Sequence, residues 1–307
     1  FCLLLSVGLC IAYMAADLGL SWADLVQTVA DSEHARLFFF DDVNNKQFFW
    51  KQFLAGVFTM IATTGLDQDM MQRNLSCRNS KESQKNIFTS ALLQFVVISL
   101  FLILGVLLYR FAAVRGIVVE RSDELFPTIA TGGYFPVAVG ILFTIGLISA
   151  AYSAAGSALT ALTTSFTVDI LGISGKGDGE VSLLRKRVHI LMAVIMAAVI
   201  VVFNVLNNTS VINAVYILAS YTYGPILGLF AFGILMPHAV HDRLIPWVVV
   251  LSPALCGVLH AFSEEWFGGY QFSYELLILN ALFTFLGLCL CIRRRSKPTD
   301  SPSPSQV

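Results

Sequence analysis

Two stretches of this chain carry polar side chains in an otherwise apolar setting, and their spacing limits what they can do. In ISAAYSAAGSALTALTTSFTVDIL, Ser149, Ser153, Ser157, Thr160 and Thr164 recur every three or four residues, a period that lines them along one face of a helix. Ala150, Ala154, Ala158 and Ala161 run beside them. Hydroxyl and carbonyl oxygens are hard donors suited to an alkali cation. Small residues at this spacing also let membrane helices pack closely, so the pattern leaves coordination and packing both open.

The second stretch, FLAGVFTMIATTGLDQDMMQRN, sets Thr63, Thr64, Gly65, Asp67, Gln68 and Asp69 at the end of an apolar run. An aspartate at the centre of a membrane helix costs about 2.5–3.5 kcal/mol, and a glycine costs about 1 kcal/mol relative to alanine. The run is therefore predicted to be interrupted. A break is tolerated only where the freed backbone lines a cavity or packs on protein, and transporters use such breaks to offer helix ends to solute and ion. The alternative is a wet helix end in which Asp69 and Arg73, four apart, form a surface ion pair. Ser220, Tyr221, Thr222 and Tyr223 precede Gly224-Pro225, where proline predicts a kink. Those tyrosines suit an interface, a bundle core or a solute path.

Other chemistries are weakly signalled. Asp67-Gln68-Asp69 matches the short DxD pattern of metal-dependent glycosyl transferases. His238 and His241 lack a third ligand at metal-site spacing, and His189 and His260 stand alone at the ends of apolar runs. A P-loop, a GxSxG and an HExxH are all missing from the sequence. No catalytic residue and no metal beyond a coupling ion is expected, and the reading is of a non-enzyme.

The elements that must hold these residues follow from composition. The chain has 307 residues, 56% of them hydrophobic and 13% charged. A soluble domain of this size would be about 45–50% apolar and about 25% charged. Apolar runs of bilayer-spanning length fall at 1–20, 49–73, 87–113, 135–165, 188–207, 211–236, 245–263 and 273–292. The class is all-α, a polytopic membrane helix bundle of about eight transmembrane helices. A polar loop at 21–48 and basic links at 74–86 and 172–187 separate them. The net charge of −1 gives nucleic acid no basic surface, so lipid is the partner to expect. The six cysteines form no CxxC pair and suit buried apolar positions rather than disulfides.

Alternating the spans places 13 lysines and arginines on one side and 6 on the other. The richer side is predicted to be cytoplasmic, with both chain ends there and 21–48 outside. Asn207-Asn208-Thr209 is a glycosylation acceptor pattern on the outer side. The Pro/Ser-rich tail at 293–307 is predicted to be disordered and cytoplasmic. A chain opening at Phe1 inside an apolar run is expected to be a fragment lacking its N-terminal part.

GLDQDMMQRNLSCRNSKESQKN, Gly65 to Asn86, resembles the signature of the sodium:solute symporter family, a G-x-[ND]-Q-x-x-x-Q-R run meeting a basic loop after the sixth core helix. SAAGSALTALTTSFTVDIL, Ser153 to Leu171, resembles that family's eighth core helix, and YTYGPILGLF its tenth. The three agree in order and spacing across nearly the whole chain. The resemblance implies a LeuT-like inverted repeat, with the first span as fifth core helix, the next five as the second repeat and the last two peripheral. Most of the first repeat would be missing, and with it half of an ion site.

The resemblance also implies roles. Sodium ligands on the eighth core helix fall on the carbonyl of Ala150 and the hydroxyl of Ser153. The next position, usually Ser or Thr, is Ala154 here. Of the paired hydroxyls that relatives with a second sodium carry, Ser157 matches and Gly156 does not. The nearest substrate-binding candidates are Thr63, Thr64, Asp67, Gln94 and Tyr221. Sugar-carrying relatives have a lysine at the position of Gln94 and a tyrosine at that of Thr63.

The expected function is secondary active transport in a bacterial inner membrane. Sodium, with no other cofactor, would drive symport of a small polar organic solute such as a sugar or organic anion, by alternating access. The alternative is a transporter-like sensor that signals to a partner without moving solute. Solute identity and oligomeric state are left open.

Overall fold

The computed structural model describes residues 1–32, 36, 38–172, 177–206 and 210–293. The acceptor pattern at Asn207–Thr209 and all but Arg293 of the tail lie outside the described residues. In chain order the helices are α1 (Cys2–Asp17), α2 (Trp22–Ala30), α3 (Phe49–Gly65), α4 (Gln68–Leu75), α5 (Ser80–Arg115), α6 (Leu125–Thr131) and α7 (Val137–Ser165), then α8 (Asp178–Leu206), α9 (Val211–Leu235), α10 (Ile245–Ala261), α11 (Ser263–Trp266) and α12 (Leu276–Leu290). Each of the eight predicted spans coincides with a helix, the second with α3 and α4 together. Among the described residues four helices, α5, α7, α8 and α9, are long and apolar enough to cross a bilayer unaided. Their apolar windows are mostly unburied within the protein, as lipid-facing helices must be. α1, α10 and α12 are shorter apolar helices. The protein is a multi-pass, all-α membrane bundle.

The chain divides into two compact units. The first, Phe1–Phe38 with Asp67–Val215, is built on a core where α1, α5, α6 and α7 meet. Val7, Cys10, Met14, Leu107, Phe111 and Ile129 are buried there. Close approach of α1 to α7 depends on Gly146, where a Cβ would stand 2.5 Å from the Leu3 nitrogen. α5 stops at Gly116, whose φ of +66° is the left-handed cap that ends a helix cheaply only in glycine.

The predicted loop at 21–48 is in part a helix. Ser21 Oγ accepts from the Ala23 amide while the Ser21 amide donates to Asp24 Oδ2 at 3.0 Å, a capping box that opens α2. Leu25 of α2 is buried in the same core, and Val29 packs against it. A local cap plus two apolar side chains outweigh the segment's overall polarity.

The second unit, Phe39–Leu66 with Tyr216–Val307, joins α3, α10, α11, α12 and most of α9. Leu227, Leu277 and Ala281 form its small apolar centre, with Phe58, Leu66 and Tyr223 against it. At one end Lys51, 8% exposed, seats its Nζ 3.3 Å from the carbonyls of Asn45 and Gln271 and 3.5 Å from the centroid of Tyr270. Burial, with Glu275 beside it, pushes the Tyr270 phenol up to about 12, so the ring under the ammonium stays neutral and attractive. The Gln271 amide donates to the Asn44 carbonyl at 3.0 Å, and Gln52 Nε2 donates to Ser273 Oγ at 3.0 Å. The 39–48 segment is thereby tied to the turn before α12. The six cysteines are all free thiols.

The glycine at the α1–α7 crossing supplies a test of the first unit. Gly146→Val drives a side chain into the backbone of Leu3, and overpacking of this kind costs about 1–3 kcal/mol. Thermal unfolding in detergent is expected to show a clear loss of stability, whereas Gly156→Ala, which meets nothing within 4 Å, leaves the midpoint near its original value.

Candidate functional site

The second span breaks where glycine and aspartate compete with helix. α3 ends at Gly65, and the Leu66 amide makes the last helical bond, to the Ala62 carbonyl at 3.0 Å. Asp67 has extended backbone and begins α4, its Oδ1 accepting from the amides of Asp69 at 2.9 Å and Met70 at 3.3 Å. A short polar side chain that satisfies the first free amides of a new helix is a strong N-cap. The predicted interruption is therefore present, and the Asp67 carboxylate is its cap.

In the first unit α4 is fastened to α7. Ser157 Oγ donates to Asp69 Oδ1 at 2.6 Å and accepts from an Arg73 guanidinium nitrogen at 2.7 Å. Asp69 and Arg73 form the predicted i,i+4 pair at 3.0 Å. About two turns further along α7, Ser165 Oγ donates to Gln68 Oε1. Two α7 hydroxyls thus hold the segment beyond the break. Asp67 caps and Asp69 is paired, so both carboxylates of the DxD pattern already serve protein donors. Among the described residues no group of three His, Cys, Asp or Glu side chains gathers to hold a metal.

The rest of the α7 stripe divides by residue type. Thr160 and Thr164 donate back to the carbonyls of Gly156 and Thr160 at 2.8 and 2.9 Å, the local bond that mid-helix threonines make in preference to distant partners. Ala150 and Ser153 are exposed and Ser157 is half-buried, at i, i+3 and i+7 on one helix face. Beyond them, Thr163 Oγ1 stands 3.1 Å from His189 Nδ1 on α8, and α7 passes into a π turn at Phe166–Ile170. Gln94 is exposed on α5 in the same unit.

Thr63, Thr64 and Tyr221 belong to the second unit. Thr63 Oγ1 donates to the Thr59 carbonyl at 2.9 Å, and both threonines are half-buried in the last turn of α3. Just past them Gly65 and Leu66 edge an open apolar groove of about 630 Å³, walled by Ile226, Leu229, Phe230 and Gly233 of α9. The Tyr221 hydroxyl lies 3.0 Å from His260 Nδ1 on α10. The predicted site residues thus fall into two groups, Ala150, Ser153, Ser157, Asp67 and Gln94 in one unit and Thr63, Thr64 and Tyr221 in the other.

Sequence reasoning missed the tie from Ser157 to Asp69 and Arg73, because residues 88 and 84 positions apart carry no local signal of contact. It also missed a buried cluster of Ser252, Asn280 and Thr284. An asparagine inside the apolar run LLILNALF and the Gly224-x-x-x-Gly228 spacing were its available signs.

The cap at the break makes a measurable claim. Asp67→Ala removes an N-cap that is worth about 1 kcal/mol, or about fivefold in local opening. Hydrogen exchange by mass spectrometry is expected to show that acceleration in amides 69–75 with little change in α7.

No family model matches the chain. It is 24% identical over 249 residues to sodium-coupled monocarboxylate transporter 2 of Bos taurus, covering 78% of this chain and 39% of that protein. It is 26% identical over 211 residues to the sodium/sialic acid symporter NanT of Aliivibrio fischeri, covering 65% of this chain and 40% of the other. The chain thus spans about two fifths of the length of these curated relatives. Among solved structures it resembles a substrate-bound, outward-open Na+-coupled sialic acid symporter, with a TM-score of 0.69 at 16% identity over 95% of this chain and 61% of the other. In sequence it is similar to sodium-coupled solute symporters, and it shares the fold of the solved sialic acid symporter.

Proposed function

We propose that this chain works in sodium-coupled symport of a small organic anion by alternating access, in the plasma membrane, with the 74–86 and 172–187 links on the cytoplasmic side. The observation that carries this reading is the second span, broken at Gly65–Asp67, whose continuation α4 is hydrogen-bonded to the hydroxyl stripe of α7. A broken helix beside an oxygen-bearing one is how secondary transporters present ion and solute ligands at membrane depth. The relatives' names give the solute class its support, since monocarboxylates and sialic acid both carry a carboxylate.

In this reading sodium takes the carbonyl of Ala150 and the hydroxyl of Ser153 on the exposed face of α7, with Ser157 one turn on. The solute-binding candidates are those the family resemblance implies, Asp67 and Gln94 in the first unit and Thr63, Thr64 and Tyr221 in the second. Because Ser157 already holds Asp69 and Arg73, its part is to fix α4 against α7, and any direct hold on an ion requires that tie to open. External sodium favours the outward-open arrangement by binding it better, and solute binding then lets the pair move inward together.

Uptake of a radiolabelled monocarboxylate into vesicles carrying the full-length protein tests this. An imposed inward sodium gradient is expected to drive accumulation. Ser153→Ala, which removes one oxygen ligand from a cation, is expected to raise the half-saturating sodium concentration by about tenfold. Uptake indifferent to sodium, or an unchanged sodium dependence in Ser153→Ala, defeats the assignment.

A further inference from the structure

Pro225 stands inside α9. Its nitrogen carries no hydrogen, so the carbonyl four residues earlier, that of Tyr221, loses the donor an unbroken helix supplies. A bare carbonyl is costly inside a bilayer. Asn280 of α12, fully buried, donates Nδ2 to this carbonyl at 3.1 Å and to the neighbouring Ser220 carbonyl, also at 3.1 Å. The amide is aimed in turn. Ser252 Oγ of α10 donates to Asn280 Oδ1 at 2.5 Å, and Thr284 Oγ1 donates to Ser252 Oγ at 2.9 Å. All three side chains are buried.

The approach needs two glycines. A Cβ at Gly224 would stand 2.6 Å from Asn280 Cβ, and one at Gly228 would stand 2.5 Å from the Ala281 carbonyl oxygen. Close packing alone requires only small residues at that spacing. It does not require an amide directed at the one carbonyl that the proline strips.

We propose that Asn280 is a positioning residue that replaces the helix hydrogen bond Pro225 forbids. It holds α9 together at the proline and fixes the setting of Ser220–Tyr223 just before it. The Tyr221 hydroxyl, held near His260 of α10, is set by the same three-helix brace. α12 and α10, which the family resemblance leaves as peripheral, thus act on the proline-bearing helix that carries a solute-binding candidate. The inference deepens the transport reading and rests on it for its uptake arm only.

A double-mutant cycle on the full-length protein tests the brace. Alanine at position 225 restores an amide, so the Tyr221 carbonyl regains its own donor and Asn280 loses its purpose there. Asn280→Ala alone is expected to lower the thermal midpoint in detergent by several degrees and the maximal uptake rate by about fivefold. Both losses are expected to shrink markedly in the Pro225→Ala background. A midpoint loss of equal size in both backgrounds overturns the proposal. Should Asn280→Ala fail to assemble, Ser252→Ala releases the amide more gently and is expected to show the same dependence on Pro225. A cost independent of Pro225 refutes the brace. If the unmodified protein shows no sodium-driven uptake, the transport reading falls, and the thermal cycle still decides the role of Asn280.

Discussion

Inside a hydrocarbon layer each backbone amide and carbonyl must find its partner within the protein, and this governs where the chain can depart from plain helix. It departs at Gly65–Asp67 and at Pro225, and at each a side chain makes up the missing bond. Where α3 stops at Gly65, the Asp67 carboxylate takes over the first amides of α4. Where Pro225 strips the Tyr221 carbonyl, the Asn280 amide fills in. The two irregular segments are ordered because side-chain chemistry restores what the backbone lost.

The two substitutes differ in reach. Asp67 acts on residues two and three places ahead, so the repair is local and visible in the sequence. Asn280 acts across nearly sixty positions, and its own orientation depends on Ser252 and Thr284. The α4–α7 tie through Ser157 is of this second kind. Long-range repairs couple helices that a local cap leaves independent.

This difference also sets how much could be read from the residues alone. Helix positions were legible because the apolar runs are long, and the break at Gly65 was legible because glycine and aspartate conflict with their surroundings over a few residues. Within 21–48 the overall polarity hid a helix, although Ser21 and Asp24 carried its capping box. The ion pair of Asp69 with Arg73 followed from spacing, whereas the serine between them belongs to another helix and could not. Thr160 and Thr164, on the same predicted stripe as Ser153, bond to their own helix. Periodicity places a hydroxyl on a face without saying which oxygen it prefers.

Lys51 holds the 39–48 segment by a different principle. Its ammonium is sheltered among two carbonyl oxygens and a neutral ring. Mobile ions weaken attractions between solvent-facing charges far more than those between sheltered groups. A fastening made this way keeps most of its grip as the ionic strength of the surrounding water rises.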